Sequence, residues 1–427
     1  MPRIKVSKAN VWKVILVILL LFSSLSVITP THSLGAALTP DHITLTWMGD
    51  PKTTQTITWR TPVEAESGLV QFVDALPVNS FSRNAKTVAS EVELMPTNLG
   101  DVHIHHVTLT GLKPDTRYLY RVGDGLKWSE PRAFTTAAAN ALGFKFLVFG
   151  DSQSIDYDVW RDTLQQAYQA NKDAAFFTNV GDLVDVGQDY KEWNSWFAAA
   201  EGVIDYIPAM PITGNHETYT PERWFSMPVF FTTQFKLPAN GPEGLKSQVY
   251  SFDYQDVHFS MLDSQQGEER GFEPDMLEKQ KVWLAKDLAA TNKKWKVVFV
   301  HRSPYNNKNS GGNENIRSAF VPIFDKYNVD VVFTGHDHAY ARSYPLYQDA
   351  VAANPAKGTI YIASGRSGTK TYRDNVSKTW NEFFHNPIFE PNYITVEVKV
   401  NLLAIKSFGQ NGSLLDAWSI ERQSASK

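Results

Sequence analysis

The chain has 427 residues and no cysteine, with 20% charged and 13% aromatic side chains and a formal net charge of −4. That length exceeds one ordinary domain, and the absence of cysteine excludes disulfides, thiolate metal sites and a thioether lipid anchor. A mildly acidic balance with no long basic stripe excludes nucleic acid as a general electrostatic partner.

At the N-terminus, Arg3, Lys5, Lys8 and Lys13 precede the apolar run 14–22, which passes through Ser-rich sequence into Gly35, Ala36 and Ala37. A basic start, a short apolar core and a small-residue exit predict a secretory signal peptide over residues 1–36. The run is shorter than the ~20 residues of a spanning helix, so the expectation is cleavage: a secreted, bacterial protein with no stable membrane insertion. Cleavage removes four basic residues and no acidic ones, leaving 37 basic against 45 acidic side chains.

Short alternating strands then recur over residues 38–137, at 56–59, 69–72, 106–110, 118–122 and 133–136, with Pro, Gly and Asp turns between them. This spacing, with no helical period, predicts a β-sandwich of ~100 residues. The segment Leu112-Lys113-Pro114-Asp115-Thr116-Arg117-Tyr118 resembles the tyrosine-corner turn of fibronectin type III domains. The small-residue joint 137–141 marks a boundary. Residues 142–424 have another texture. Apolar runs at 144–149, 174–180, 209–213, 257–262, 297–300, 329–334 and 359–363 read as strands of a sheet covered on both faces. Trp160, Leu164, Ala167 and Tyr168 fall at helical spacing, as do Met276, Leu277, Gln280, Trp283, Leu284 and Leu288 after Pro274. Residues 403–407 and 417–420, around Asn411-Gly412, read as a terminal hairpin. The fold class is α/β, with a mixed sheet or a sheet pair behind the sandwich.

Five segments carry the chemistry: Gly150-Asp151, Gly181-Asp182, Gly214-Asn215-His216-Glu217, His301 and Gly335-His336-Asp337-His338. Each supplies an oxygen or imidazole donor directly after an apolar run, and in open α/β sheets ligands gather beyond the carboxyl ends of strands. One such residue is as readily a helix cap or a satisfied polar group; five in register, each beside a Gly or a turn, point to a shared site. Asp, Asn and His without sulfur suit zinc, manganese, iron or magnesium. There are enough donors for two ions that share one carboxylate.

The ordered blocks GD, GDLVD, GNHE, VFVH and GHDHAYARS resemble those of the metallophosphoesterases, specifically the purple acid phosphatase branch with its fibronectin-like N-terminal domain. The resemblance covers nearly all of the chain after residue 36, and GNHE and GHDHAYARS carry it most specifically. It implies an N-terminal β-sandwich followed by a four-layer α/β/β/α metallophosphoesterase domain, a small phosphorylated substrate, and two divalent metal ions (iron, zinc or manganese). By position, Asp151 and His338 would bind the first ion, Asn215, His301 and His336 the second, and Asp182 both. A carboxylate can span ions ~3.5–4 Å apart, and the Asn215 amide donates a neutral oxygen. His216, with Asn215, would face the substrate phosphate, stabilising developing charge or protonating the leaving alkoxide. Glu217, Asp337 and Asp263 are candidates for orienting the ligand imidazoles. Arg302 and Arg342 are candidates for clamping phosphate, with packed salt bridges an equal alternative. The implied reaction is in-line attack by a metal-bound hydroxide, with Asp182 and His216 catalytic, on a phosphomonoester. A phosphodiesterase or nucleotidase, and a non-catalytic metal-binding adhesion protein, are the alternatives.

Two positions depart from the family. Three residues after the bridging Asp the purple branch has a Tyr whose phenolate binds ferric iron; this chain has Asp185. Other metallophosphoesterases have a His two residues after the first Asp; this chain has Gln153. The expectation is that the Gln153 amide oxygen, or water, completes the first site, which then holds a divalent ion without purple colour. The family's extra substrate-side His also has no counterpart between Arg302 and Gly335. Ser152 lacks an activating neighbour and is not expected to act as a nucleophile.

Overall fold

The computed structural model describes residues 39–75, 81, 85–140, 142–309, 312–354 and 357–422; the expected signal peptide lies outside them. The first eight strands are β1 Asp41–Thr46, β2 Gln55–Pro62, β3 Leu69–Asp74, β4 Lys86–Ala89, β5 Glu91–Met95, β6 Val102–Leu109, β7 Arg117–Gly123 and β8 Arg132–Thr135. They form two antiparallel sheets, ordered β1-β2-β6-β5 and β4-β3-β7-β8. Alternation along β7 turns Tyr118, Tyr120 and Val122 inward, against Ile57, Trp59 and Val70 from the other strands. This is the period of two expected of a half-covered sheet. Tyr118 Oη accepts the Lys113 N–H at 2.9 Å, the closure that defines a tyrosine corner. β4 and most of β5 are exposed, so no apolar alternation marked them in the sequence.

The sandwich is tied to the rest of the molecule through main chain. Leu45 N–H donates to Ile204 O (3.0 Å) and Leu45 O accepts from Ala209 N–H (2.8 Å). Trp47 extends the tie apolarly, packing on Phe176, Phe252 and Tyr254.

The remaining strands are β9 Gly143–Phe149, β10 Ala174–Asn179, β11 Tyr250–Tyr254, β12 Val257–Leu262, β13 Trp295–Val300, β14 Val331–Thr334, β15 Tyr340–Ser343, the short ribbon β16 Leu346–Tyr347 and β17 Ala350–Val351, then β18 Ile360–Ser364, β19 Asn381–His385, β20 Asn392–Lys399, β21 Leu402–Gly409 and β22 Leu414–Glu421. Two sheets face each other, ordered β10-β9-β20-β21-β22 and β11-β12-β13-β14-β18-β15-β19. Their inner faces share one core in which Phe146 and Phe176 meet Phe259. Helices Asp158–Ala170 and Tyr190–Ala200 cover the five-stranded sheet, with Trp160 against Phe149 and Trp196. Helices Met276–Ala290 and Glu314–Tyr327 cover the seven-stranded one through Leu284, Leu288, Phe320 and Phe324. The result is the four-layer α/β/β/α arrangement. No helix of the described residues is long and apolar enough to cross a membrane.

The run 209–213 is not a ladder strand, as its apolar texture suggested. It makes two isolated parallel bridges, Phe177 with Ala209 and Val180 with Ile212. Pro211 sits between them without an N–H, which interrupts a ladder. Pro322 inside the helix Glu314–Tyr327 interrupts the sequence signal for it.

β9 runs parallel to β10, and β12, β13, β14 and β18 are mutually parallel. The carboxyl ends of β9, β10, β13 and β14 lead directly into Asp151, Asp182, His301 and His336, and loops from both sheets meet there.

Candidate metal centre

The two carboxylates are set by backbone before any ion is considered. Asp182, at φ 50°, accepts the His216 N–H on Oδ1 at 2.8 Å. Its own carbonyl accepts from Ser152 N–H and Gln153 N–H at 3.0 Å each, tying the β9 and β10 loops together. Asp151 accepts the His336 N–H on Oδ1 at 2.9 Å. His336 and His338 also have positive φ, 67° and 56°. Left-handed backbone at three donor positions is strain of the kind that gathers at functional sites. Glu217, fully buried, braces the arrangement by accepting N–H from Asp182 (2.9 Å), Leu183 (2.8 Å) and Gly214 (2.6 Å).

Each carboxylate keeps an oxygen for the centre. Asp151 Oδ2 lies 2.9 Å from His338 Nε2. Asp182 Oδ2 lies 3.2 Å from His301 Nε2 and 4.0 Å from His216 Nε2. Asn215 Oδ1 is 3.3 Å from His301 Nε2, with its amide nitrogen engaged by Tyr219 Oη at 3.0 Å. Two clusters emerge, Asp151, Asp182 and His338 in one and Asp182, His301 and His336 in the other. The candidate ligand atoms in each lie within 4.8 Å of one another.

Backbone carbonyls set the imidazole tautomers. His301 Nδ1 is 2.7 Å from Val180 O, His338 Nδ1 is 2.8 Å from Lys370 O, and His216 Nδ1 is 2.6 Å from Asp185 O. This corrects the expectation that carboxylates orient them. Glu217 binds backbone N–H groups, Asp337 accepts from Asn307 N–H, and Asp263 is held by Thr213, Gln248 and the Gln265 N–H. Arg302 and Arg342 are likewise salt-bridge residues. Arg302 forks onto Glu268 at 2.9 and 2.7 Å, and Arg342 pairs with Asp416 and Glu382.

With Nδ1 protonated toward those carbonyls, His301 and His338 direct Nε2 lone pairs at carboxylate oxygens, and for His301 at the Asn215 amide oxygen as well. Acceptors facing acceptors in a buried place require a proton or a cation between them. Titration carries the same demand. Burial works against charge on His301, yet the Asp182 carboxylate raises it to about 9. Burial also opposes charge on Asp182, but His301 and His216 hold its carboxyl well below the usual range. Burial, then Asp182, push Glu217 up to about 8. Divalent cations fit this donor set.

Gln153 and Asp185 occupy the flank of the first cluster. With its amide turned so that the oxygen meets a donor, Gln153 accepts from Lys370 Nζ at 2.8 Å and donates to Asp182 Oδ2 at 3.1 Å. Asp185 is ion-paired to Lys370 (3.1 Å) and Arg223 (2.8 Å). Neither Lys370 nor Tyr372, whose ring is 4.5 Å from that of His338, was singled out from the sequence. The signal was there, because both lie in the turn after β18, at the same edge where the other donors follow their strands.

Known families match the chain in the same order as these domains. Residues 40–136 match the purple acid phosphatase N-terminal domain, and residues 144–340 match the calcineurin-like phosphoesterase domain. The chain belongs to the purple acid phosphatase-like metallophosphoesterases. It is 31% identical over 273 residues to purple acid phosphatase 21 of Arabidopsis thaliana, a match covering 62% of this chain but only 59% of that relative. It is 28% identical over 363 residues to acid phosphatase type 7 of Mus musculus, covering 78% of each. In fold it is similar to the purple acid phosphatase PPD1 from yellow lupin (Lupinus luteus) seeds, with TM-score 0.73 and 19% identity over 90% of this chain and 74% of that one. It is also similar to PhoD, with TM-score 0.63 and 14% identity over 91% of this chain and 94% of that one.

Proposed function

We propose that the chain is an exported phosphoester hydrolase with a binuclear metal centre, acting on small phosphomonoesters. Residues 142–424 form its catalytic unit and residues 38–137 the accompanying sandwich. Asp151, Asp182 and His338 would hold one ion, and Asp182, Asn215, His301 and His336 the other. The observation that carries this reading is the convergence of imidazole and carboxylate donors, from four separate strand ends, on one buried point. The two curated relatives cited are named as phosphatases, which supports the reaction class.

When bound, the ions would neutralise phosphoryl oxygens and acidify a water for in-line displacement. The chain's own residues do the positioning. Asn215 is oriented by Tyr219 so that its oxygen faces the centre. His216, anchored through Nδ1 to Asp185 O, presents Nε2 to the space beside Asp182, where a phosphate would be received and its developing charge stabilised. Gln153 steadies Asp182 by a hydrogen bond.

The test is metal content per chain, with hydrolysis of an aryl phosphate monoester and a bis-aryl diester before chelation, after it, and after adding back manganese, zinc or iron. The monoester should be the better substrate. Asn215→Ala and His301→Ala should lower hydrolysis by roughly a hundredfold or more while circular dichroism stays unchanged. A protein that holds its ions but cleaves neither ester refutes the reading in favour of a binding protein. Export is proposed from the basic–apolar–small pattern of residues 1–36. Sequencing the N-terminus of protein recovered from culture medium should find it near residue 37, and an intact Met1 would overturn that part.

A further inference from the structure

Lys308 is a half-buried ammonium for which, among the described residues, no carboxylate lies at ion-pair distance. Its Nζ rests over the ring of Tyr372, 4.7 Å from the centroid. Burial works against its charge, and the compensating attraction comes from Asp337, Asp151 and Asp182, so the group stands within the field of the metal centre. A partly desolvated cation without a close counter-charge is costly unless an anion arrives. Lys370 reaches the His216 side of the centre from the loop after β18. Its Nζ lies 3.0 Å from His216 Nε2 and 3.1 Å from Asp185 Oδ1. Two divalent ions at the centre would over-neutralise Asp151 and Asp182, removing the attraction that now steadies Lys308. Lys308 is then left without a counter-charge, while Lys370 keeps Asp185 and has further N–H donors to offer an incoming anion.

We infer that Lys308 and Lys370 receive the peripheral oxygens of a doubly charged terminal phosphate, and so make the site select phosphate monoesters over diesters. The inference rests on the hydrolase reading above and deepens it. A monoester dianion offers three peripheral oxygens, two to be shared with the ions and one or more left for ammonium donors. A diester carries one charge fewer, and an organic group where a lysine would bind. Lys308 thus stands in the loop after His301, where no substrate-side histidine exists.

Lys308→Met and Lys370→Met, each in metal-loaded protein, should lower kcat/KM for an aryl phosphate monoester about ten- to a hundredfold, mainly through KM. The bis-aryl diester should lose only a few-fold, with ions per chain unchanged, and Lys308→Arg should recover part of the loss. Calorimetry of inorganic phosphate binding to the zinc-loaded protein should show a parallel weakening. Equal losses on both esters, or unchanged phosphate affinity, would overturn the inference. If the unsubstituted protein cleaves neither ester, the hydrolase reading falls, and the phosphate titration still decides the role of the lysines.

Discussion

Gly335 offers the sharpest test of how tightly the centre is built. A Cβ at this position would lie 2.6 Å from Asp151 Oδ1, 2.6 Å from Val180 O and 2.9 Å from His301 Nδ1. Ordinary contact begins near 3.4 Å, so Gly335→Ala creates overlaps of about 0.5–0.8 Å with three groups at once. None can yield cheaply. Val180 O ends the parallel pairing of β10 and receives His301 Nδ1, and Asp151 Oδ1 receives the His336 N–H. Relief must come from an outward shift of the 334–336 segment by a similar distance, and the His336 ring moves with it. Metal coordination tolerates about 0.2 Å, so the displacement exceeds the tolerance several-fold. Overpacking of this kind costs about 1–3 kcal/mol. Metal affinity should fall at least tenfold, and metal per chain after dialysis against buffered zinc would show it. Gly271→Ala is the control, since a Cβ there meets nothing within 4 Å. If Gly335→Ala keeps two ions with unchanged affinity, the packing argument is wrong.

Glu217→Ala should destabilise the protein by roughly 3–5 kcal/mol, because it strands the buried N–H groups of Asp182, Leu183 and Gly214; urea unfolding measures this, and a change under 1 kcal/mol would remove Glu217 as the brace. His258 lies between Asp253 Oδ1 (2.7 Å) and Asp287 Oδ2 (2.8 Å), and although burial works against its charge, these partners raise its pKa to about 9. Since the folded value lies above the unfolded 6.5, the contribution is fully present below about pH 6.5 and lost as pH rises through 9. It amounts to about 3 kcal/mol, and His258→Gln should flatten the unfolding free energy across that window. With Asp185 where the purple branch has its tyrosine, iron-loaded protein should show no tyrosinate–ferric absorption band in the visible.

The layered fold was legible because its interior is aromatic and β-branched. Runs such as Phe144–Lys145–Phe146 and Val297–Val298–Phe299 have few alternatives to a buried strand. The convergence of donors was legible because each follows such a run beside a glycine, and the Gly335 contacts show why: only a residue without Cβ lets two loops meet there. What stayed hidden had no residue-level code. Carbonyls of Val180, Asp185 and Lys370 set the imidazoles, and any residue type offers a carbonyl. Arg302 and Arg342 were ambiguous because Glu268 and Asp416, their partners, lie 34 and 74 residues away. Lys308 and Lys370 were passed over because a lone lysine in a loop is ordinarily a solvated one. Exposed β4 and Pro-interrupted 209–213 failed for opposite reasons, one lacking an apolar face and the other having one without donors to form a ladder.

The centre concentrates terms that oppose folding: three donor residues with left-handed backbone, a fully buried Glu217 beside Asp182, and imidazole lone pairs aimed at carboxylates. Without cations, protons must fill these gaps, which is the meaning of a His301 pKa near 9. Cations exchange that protonation for coordination, so metal affinity and fold stability are one linked quantity. Saturation at a thousand times Kd adds about 4 kcal/mol per site, comparable to the margin of an ordinary domain. In a chain without disulfides that margin matters, because nothing covalent holds the β9, β10, β13 and β14 loops together. The same charge excess that stabilises the loaded fold leaves Lys308 without a counter-charge beside the Asp185-paired Lys370, so the forces that assemble the centre also prepare it for phosphate.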